Sequence, residues 1–335
     1  MRGTGYSSFV GSGALHFVAM TIRWGFLGAG YVASRAMAPA VHAAKGALLQ
    51  SVASRDAERS ALLEPLSVAA TYQQLLEDPL VDAVYVSLTN VQHREWVIAA
   101  LQAGKHVLCE KPLGITADDV TAMRDEAARH QRVLVEATWI RWHPRFRRLV
   151  EIATSGALGE VLTIDSSFTF ENGESENYRW QPAWGGGALL DVGCYQAHVW
   201  TAITGTASQV DVTDVKRVMS ASGVDATTTA TATIDGGIKA TMQCSFVLPA
   251  EQRLVISSAD HRLSMATGEA FTSWREPSSL QIDAVTESFP AVDAFVVMVE
   301  EMSALLNGEA GWVVPLDETF KVAQVLDAIA GTPSR

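Results

Sequence analysis

Three things are scarce in this chain, and each scarcity narrows what it can do. Cysteine is the first: Cys109, Cys194 and Cys244 are the only three in 335 residues. They are far apart and odd in number. Neither a disulfide framework nor a zinc-ligand spacing can be built from them, and a reducing cytoplasm is the expected setting. Positive charge is the second. Lysine and arginine number 25 against 37 acidic residues, for a net charge of −12. A nucleic-acid partner or an anionic membrane surface would call for basic patches, so neither is expected. Long apolar runs are the third, since no stretch reaches the ~18 residues that a membrane-spanning helix needs.

What is present is globular. Apolar residues make up 48% and charged residues 19%, enough for substantial cores, and the length suits two domains. The stretch before Met20 has only a weak apolar patch, "ALHFVA", broken by His16. It lacks a cationic start and a cleavage site. Residues 1–20 therefore read as a disordered leader, with Met20 as a candidate true start.

Residues 21–142 alternate between strand and helix. Apolar runs at 23–27, 48–54, 81–88, "HVLCE" and "RVLVEA" are separated by helical stretches such as "REWVIAALQAG". Thr116 N-caps "ADDVTAMRDEAARH", with acids in its first turn and bases in its last. The alternation predicts parallel βαβ units in a doubly wound Rossmann sheet, an α/β domain. Residues 143–291 read differently. "EVLTIDSSFTFEN", "ATTTATATI", "IKATMQCSFVL" and "RLVISSA" repeat with period two and predict a large open, mostly antiparallel sheet, an α+β domain. Its polar face is a natural surface for a homodimer or homotetramer. Helices at 292–306 and 316–330 are expected to pack back on the first domain.

The chemistry begins at "GFLGAGYVA". Gly28, Gly30 and Ala33 form G-x-G-x-x-A between a strand and a helix, the arrangement that turns the chain and admits a pyrophosphate at a helix N-terminus. Tyr31 and Val32 open that helix. The second strand ends "VASRD", where a carboxylate would select NAD by holding the ribose 2′-hydroxyl. Ser54 and Arg55 stand there instead, and arginine can fork a 2′-phosphate, so NADP is favoured over NAD. Asp56 keeps NAD open. Later strand ends should also reach the cofactor, which brings in Thr89, Asn90 and His93 from "SLTNVQHREW", and Glu110 and Lys111 from "CEKPLG". Lys111, held at the end of a buried strand with Pro112 behind it, points to where a nicotinamide would lie. In "GGGALLDVGCYQAHVW", Asp191 and Tyr195 are four apart and share a helical face. Trp139, Arg141, Phe168, Arg179 and Trp180 are candidate pocket residues, able to stack on or grip a hydroxylated ring.

Taken together, "GFLGAG", "EKPLG" and "GGGALLDVGCY" resemble the glucose–fructose oxidoreductase/inositol dehydrogenase/rhizopine catabolism (Gfo/Idh/MocA) family. The resemblance runs from about residue 22 to the end of the chain. "EATWIRWHPRF" is similar to the branch of dimeric dihydrodiol dehydrogenases and NADP-dependent D-xylose dehydrogenases. The resemblance implies a nicotinamide-dependent oxidoreductase acting on a CH–OH group of a sugar or trans-dihydrodiol. It also implies that Lys111 is catalytic, that Asp191 contacts substrate and that Tyr195 exchanges the proton. Tyrosine at 195, where the inositol branch has histidine, favours the sugar or dihydrodiol branch. An NAD-retaining glycosidase and a non-catalytic cofactor sensor remain as alternatives. Free tyrosine titrates near ~10, and an ammonium ~4 Å away at an effective dielectric of ~20 favours phenolate by roughly 4 kcal/mol. Lys111 is on that count expected to bring Tyr195 down by up to about 3 pKa units, towards neutrality.

Overall fold

The computed structural model describes residues 20–173, 177–265 and 270–331. The expected leader, apart from Met20, lies outside the described residues.

Short buried runs bounded by glycine or by capped helices build the first sheet. It contains β1 (Ile22–Leu27), β2 (Ala47–Ala53), β3 (Ser67–Val68), β4 (Ala83–Val86), β5 (His106–Cys109) and β6 (Leu134–Glu136). All neighbours are parallel, in the order β3-β2-β1-β4-β5-β6. Chain direction across the sheet reverses between β1 and β4. A crevice therefore opens at the carboxyl ends of those two strands, the usual ligand position in such sheets. β4 is buried along its whole length, as a strand covered by helices on both faces must be.

The second sheet contains β7 (Thr163–Thr169), β8 (Val210–Met219), β9 (Asp225–Ile234), β10 (Ile238–Ser245), β11 (Glu251–Ser257), β12 (Arg262–Met265), β13 (Ser278–Ile282) and β14 (Val285–Phe289). Its order is β14-β13-β12-β11-β7-β10-β9-β8. Every pairing is antiparallel except that of β7 with β10. Alternation along β9 sorts its side chains. Ala226, Ala230, Ala232 and Ile234 are buried, while Thr229, Thr231 and Thr233 are half-buried on the opposite face. Helix Cys194–Thr204 lies on the buried face. Its Gln196 accepts from Ser166 Oγ of β7 at 2.9 Å and donates to the Gln243 carbonyl of β10 at 3.1 Å.

The two C-terminal helices, Ala294–Leu306 and Leu316–Gly331, return to the first sheet's helices. Glu300 accepts the Lys45 amide at 2.9 Å, and Asp327 accepts the Ala117 amide at 2.8 Å.

Candidate active site

The glycine loop after β1 is built for close approach. Gly28 has φ +100°, and a Cβ there would lie 2.3 Å from the Ser87 carbonyl oxygen, so no other residue fits. At Gly30 a Cβ would meet only Ser87 Oγ, at 3.7 Å, which leaves open space in front of the backbone. The helix then begins with Tyr31, exposed, and Val32, half-buried, and widens into a π-helical turn at Ala33–Met37. An open cradle at a helix N-terminus fits a pyrophosphate.

At the tip of β2 the residues divide their work. Ser54 Oγ donates to the Asp56 carbonyl at 2.7 Å and accepts from Ser60. The Asp56 carboxylate caps the next helix by accepting the amides of Glu58 and Arg59, so it is spent on the fold. Arg55 stands exposed beyond them. Arg59, which the sequence analysis passed over, donates to the Ala29 carbonyl at 2.8 Å and braces the glycine loop. Its spacing of four from Arg55 was the available signal.

The loops after β4 and β5 bring a correction. His93 is fully buried, with one ring nitrogen 2.9 Å from the Pro112 carbonyl and the other 3.3 Å from the Leu88 carbonyl. Burial holds its pKa below the ordinary value despite those carbonyls. It supports the loop behind Lys111 and offers no atom to a cofactor. Glu110 is turned inward too. Its carboxylate accepts from Tyr85 Oη at 2.6 Å, and burial raises its pKa. Thr89 Oγ1 donates to Gln92 at the start of helix Asn90–Gln102. Asn90 Nδ2 donates to the Gly185 carbonyl at 2.8 Å, tying the first domain to the turn ahead of Asp191.

Lys111 follows β5, and its peptide bond to Pro112 is cis. Its ammonium crosses to the second domain, donating to the Asp191 carbonyl at 2.6 Å and the Asp191 carboxylate at 2.9 Å. Asp191 sits in a π-helical turn, Leu189–Gly193, a distortion that recurs at functional sites because it perturbs the helical ladder. The turn is anchored by Asp225. A Cβ on Gly187 (φ +119°) would lie 2.1 Å from Asp225 Oδ1, while Oδ2 accepts the Leu189 amide at 2.9 Å. Arg179 Nε reaches the other Asp191 oxygen at 2.7 Å, and Tyr178 Oη lies 3.5 Å from the first. Burial alone would raise the Asp191 pKa, but Lys111 and then Arg179 pull it down to about 2. Burial alone would lower the pKa of Lys111, and Asp191 reverses that, holding it well above the ordinary value.

Tyr195, one turn on, lies under the same ammonium, with Lys111 Nζ 5.1 Å from its ring centroid. The expectation that Lys111 brings this phenol towards neutrality is not met. Burial raises the Tyr195 pKa well above 10, and Lys111 offsets only part of that. Desolvation of the buried phenol outweighs the ammonium, and the neighbouring acidic groups Cys194, Glu110 and Asp191 add to the upward shift. Tyr178, a neighbour with no signal of its own in the sequence, is likewise raised by burial, to about 12.

Three rings surround the Tyr195 ring: Phe168 at 5.8 Å, Phe271 at 6.3 Å and Trp139 at 6.4 Å between centroids. Phe271 lies in an irregular stretch between strands and had no sequence signal. Two other pocket candidates are corrected. Arg141 is buried with its guanidinium on Glu318 at 2.7 Å, against the rings of Phe146 and Trp312. Trp180 is 1% exposed and packs edge-on to Phe246. Both are committed to the core. The structure thus gathers Lys111, Asp191, Tyr195, Arg179, Phe168 and Trp139 at one place, next to the glycine loop's end of the first sheet.

Residues 22–138 match the oxidoreductase family with an NAD-binding Rossmann fold, and residues 146–264 match the Gfo/Idh/MocA C-terminal domain. The NADP-dependent D-xylose 1-dehydrogenase 2 of Haloferax volcanii is 32% identical over 321 residues, 91% of this chain and 95% of that one. The trans-1,2-dihydrobenzene-1,2-diol dehydrogenase of Mus musculus is 30% identical over 233 residues, 68% of this chain and 69% of that one. Among solved structures, a 3-ketoreductase from Actinomadura kijaniata in complex with NADP and TDP-benzene superposes with a TM-score of 0.83. It is 28% identical, and the match covers 92% of this chain and 97% of that one. The chain belongs to the Gfo/Idh/MocA family of NAD(P)-dependent oxidoreductases.

Proposed function

We propose that this enzyme interconverts a ring carbinol and the corresponding ketone or lactone of a sugar or a cyclic trans-diol. Tyr195 exchanges the hydroxyl proton and Lys111 assists. The observation that carries the reading is the placement of Lys111 Nζ against both Asp191 and the Tyr195 ring. When bound, the nicotinamide supplies or accepts the hydride. Tyr195 then has one task, to give or take a proton at the same carbon's oxygen. A phenol with a raised pKa is fully protonated at neutral pH, so in this state it is a proton donor to a carbonyl. Lys111 lowers the energy of the phenolate left behind, and Asp191 keeps Lys111 aimed. Phe168, Phe271 and Trp139 exclude water, which strengthens each of these charge interactions, and they present apolar faces to a ring's C–H surface. Arg179, partly exposed beside Asp191, is the group available to a substrate hydroxyl.

Two solved variants of the A. kijaniata ketoreductase support these roles. One replaces a lysine by alanine and the other a tyrosine by phenylalanine. The two positions are separated by the same number of residues as Lys111 and Tyr195 here. For the cofactor, Arg55 exposed at the tip of β2 and Asp56 spent on a helix cap favour NADP over NAD. The threonine-lined face of the second sheet is the surface we assign to a homodimer or homotetramer.

The test is a turnover assay. The absorbance of the reduced nicotinamide is followed with NADP(H) and NAD(H), across aldoses, keto-sugars, inositols and trans-dihydrodiols. Turnover with a sugar or dihydrodiol supports the reading. A flat trace with every alcohol and ketone, despite tight dinucleotide binding, would exclude it in favour of a sensor or a glycosidase that never releases its cofactor.

A further inference from the structure

Lys111 and Tyr195 belong to different domains, yet their function depends on one fixed separation. The link just described between Lys111 and Asp191 is itself part of the chemistry, so the frame that holds it must lie elsewhere. Beneath the site is a buried carboxylate that the chemistry does not use. Glu136, the last residue of β6, is 1% exposed. One of its oxygens accepts the backbone amide of Leu113 at 3.0 Å, two residues beyond Lys111. The other lies 2.8 Å from Nε2 of His198. His198 is fully buried and follows Tyr195 by three residues on helix Cys194–Thr204.

We infer that Glu136 is a positioning residue that, through His198, fixes Lys111 relative to Tyr195. The carboxylate grips the lysine loop with one oxygen and the tyrosine helix with the other. Neither grip is a surface contact that water could replace. The pair also fixes the tautomer of His198, because only a protonated Nε2 can donate to Glu136. Thr138 Oγ1 lies 3.0 Å from the same Nε2, while Nδ1 is buried with no hydrogen-bond partner among the described residues. The Leu113 amide and the Tyr195 helix, contributed by two domains, thus meet on one side chain. Outer partners of this kind typically set activity by 10- to 100-fold elsewhere, because a reacting group displaced by a fraction of an ångström loses its alignment.

This inference rests on the proposed proton-transfer roles, and its test separates the two. His198→Gln keeps an N–H that can reach Glu136, whereas His198→Leu does not. With the wild type's best substrate, His198→Leu is expected to lose 10- to 100-fold in kcat. His198→Gln should stay within about threefold, and the Kd for NADPH should stay within twofold for both. Adding His198→Leu to Glu136→Leu should cost little beyond Glu136→Leu alone, since that single change already removes both grips. Amide exchange at Leu113 should be faster in His198→Leu than in His198→Gln, a readout that needs no turnover. Equal kcat values and equal Leu113 exchange in the two folded histidine variants would overturn the inference. If the wild type turns over nothing while the exchange difference is present, the proposed function fails and the positioning link stands. Should His198→Leu not fold, His198→Met set against His198→Gln carries the same comparison.

Discussion

The ammonium of Lys111 donates twice to a single residue, to the backbone carbonyl of Asp191 at 2.6 Å and to its carboxylate at 2.9 Å. A lysine used as a simple neighbouring charge would need one such contact. The double contact fixes its direction, with the Tyr195 ring below and the crevice of the first sheet beside it. Lys111→Met should therefore reduce kcat by at least 10²-fold, and Tyr195→Phe should act on the same scale, since each removes part of one proton transfer. Fluorescence titration of NADPH should give near wild-type affinity for both. Turnover retained in either variant removes that residue from the mechanism.

Asp191 links the site to acid stability. Its pKa is about 2 in the fold against an ordinary 3.8. A carboxyl group depressed on folding binds fewer protons in the folded state. Its stabilisation is therefore complete above about pH 4 and is lost as pH falls towards 2. The shift corresponds to about 2 kcal/mol. Asp191→Asn should be less stable at pH 7, because two cations lose their partner. It should also lose less of what remains between pH 4.5 and 2.5. Thermal melts across that range measure the difference in slope, and parallel slopes would contradict the assignment.

The two arginines at the second strand should separate cofactor choice from cofactor binding. Arg55 is exposed at the tip of β2, the place we assign to a 2′-phosphate, so Arg55→Ala should weaken NADP by at least tenfold while leaving NAD nearly unchanged. Arg59 braces the Ala29 carbonyl. Arg59→Ala should weaken both dinucleotides alike, through the loop. Equal losses of NADP and NAD in Arg55→Ala would sink the preference for NADP.

Arg141 should behave as a structural residue. Its removal leaves the half-buried Glu318 without its cation, at a cost below the roughly 3–5 kcal/mol of breaking a fully buried pair. Arg141→Ala should lower the melting temperature by several degrees, with KM for the substrate unchanged in the folded fraction. A raised KM at unchanged stability would return Arg141 to the pocket.

Much of the fold was legible because burial leaves a periodic trace. The helix read from "ADDVTAMRDEAARH" is observed as Ala117–His130, and the apolar run at 23–27 as Ile22–Leu27. β8 was missed because Asp211, Asp214, Lys216 and Arg217 interrupt its alternation. Those charges suit an edge strand facing solvent, and they conceal a strand from a reading based on apolar period. The helix Pro144–Thr154 was likewise unannounced. In the site, Lys111, Asp191 and Tyr195 could be named from motifs. What each side chain touches could not. Whether Arg141 faces a substrate or Glu318 depends on a helix 177 residues away in the chain. The misjudged Tyr195 pKa has the same origin, since how deeply the fold buries the phenol is set by residues distant in the chain.

The parallel pairing of β7 with β10 has a consequence for how this architecture can vary. A tight turn cannot join parallel neighbours, so the chain must leave the sheet and cross back over it. That excursion carries Arg179, Asp191, Tyr195 and His198 before the chain returns through β8 and β9. The helix that carries Tyr195 is therefore part of the connection that lets the second sheet exist. Deleting it would leave β7 and β10 without a path between them, so the demands of folding and those of the proposed chemistry fall on one stretch of chain.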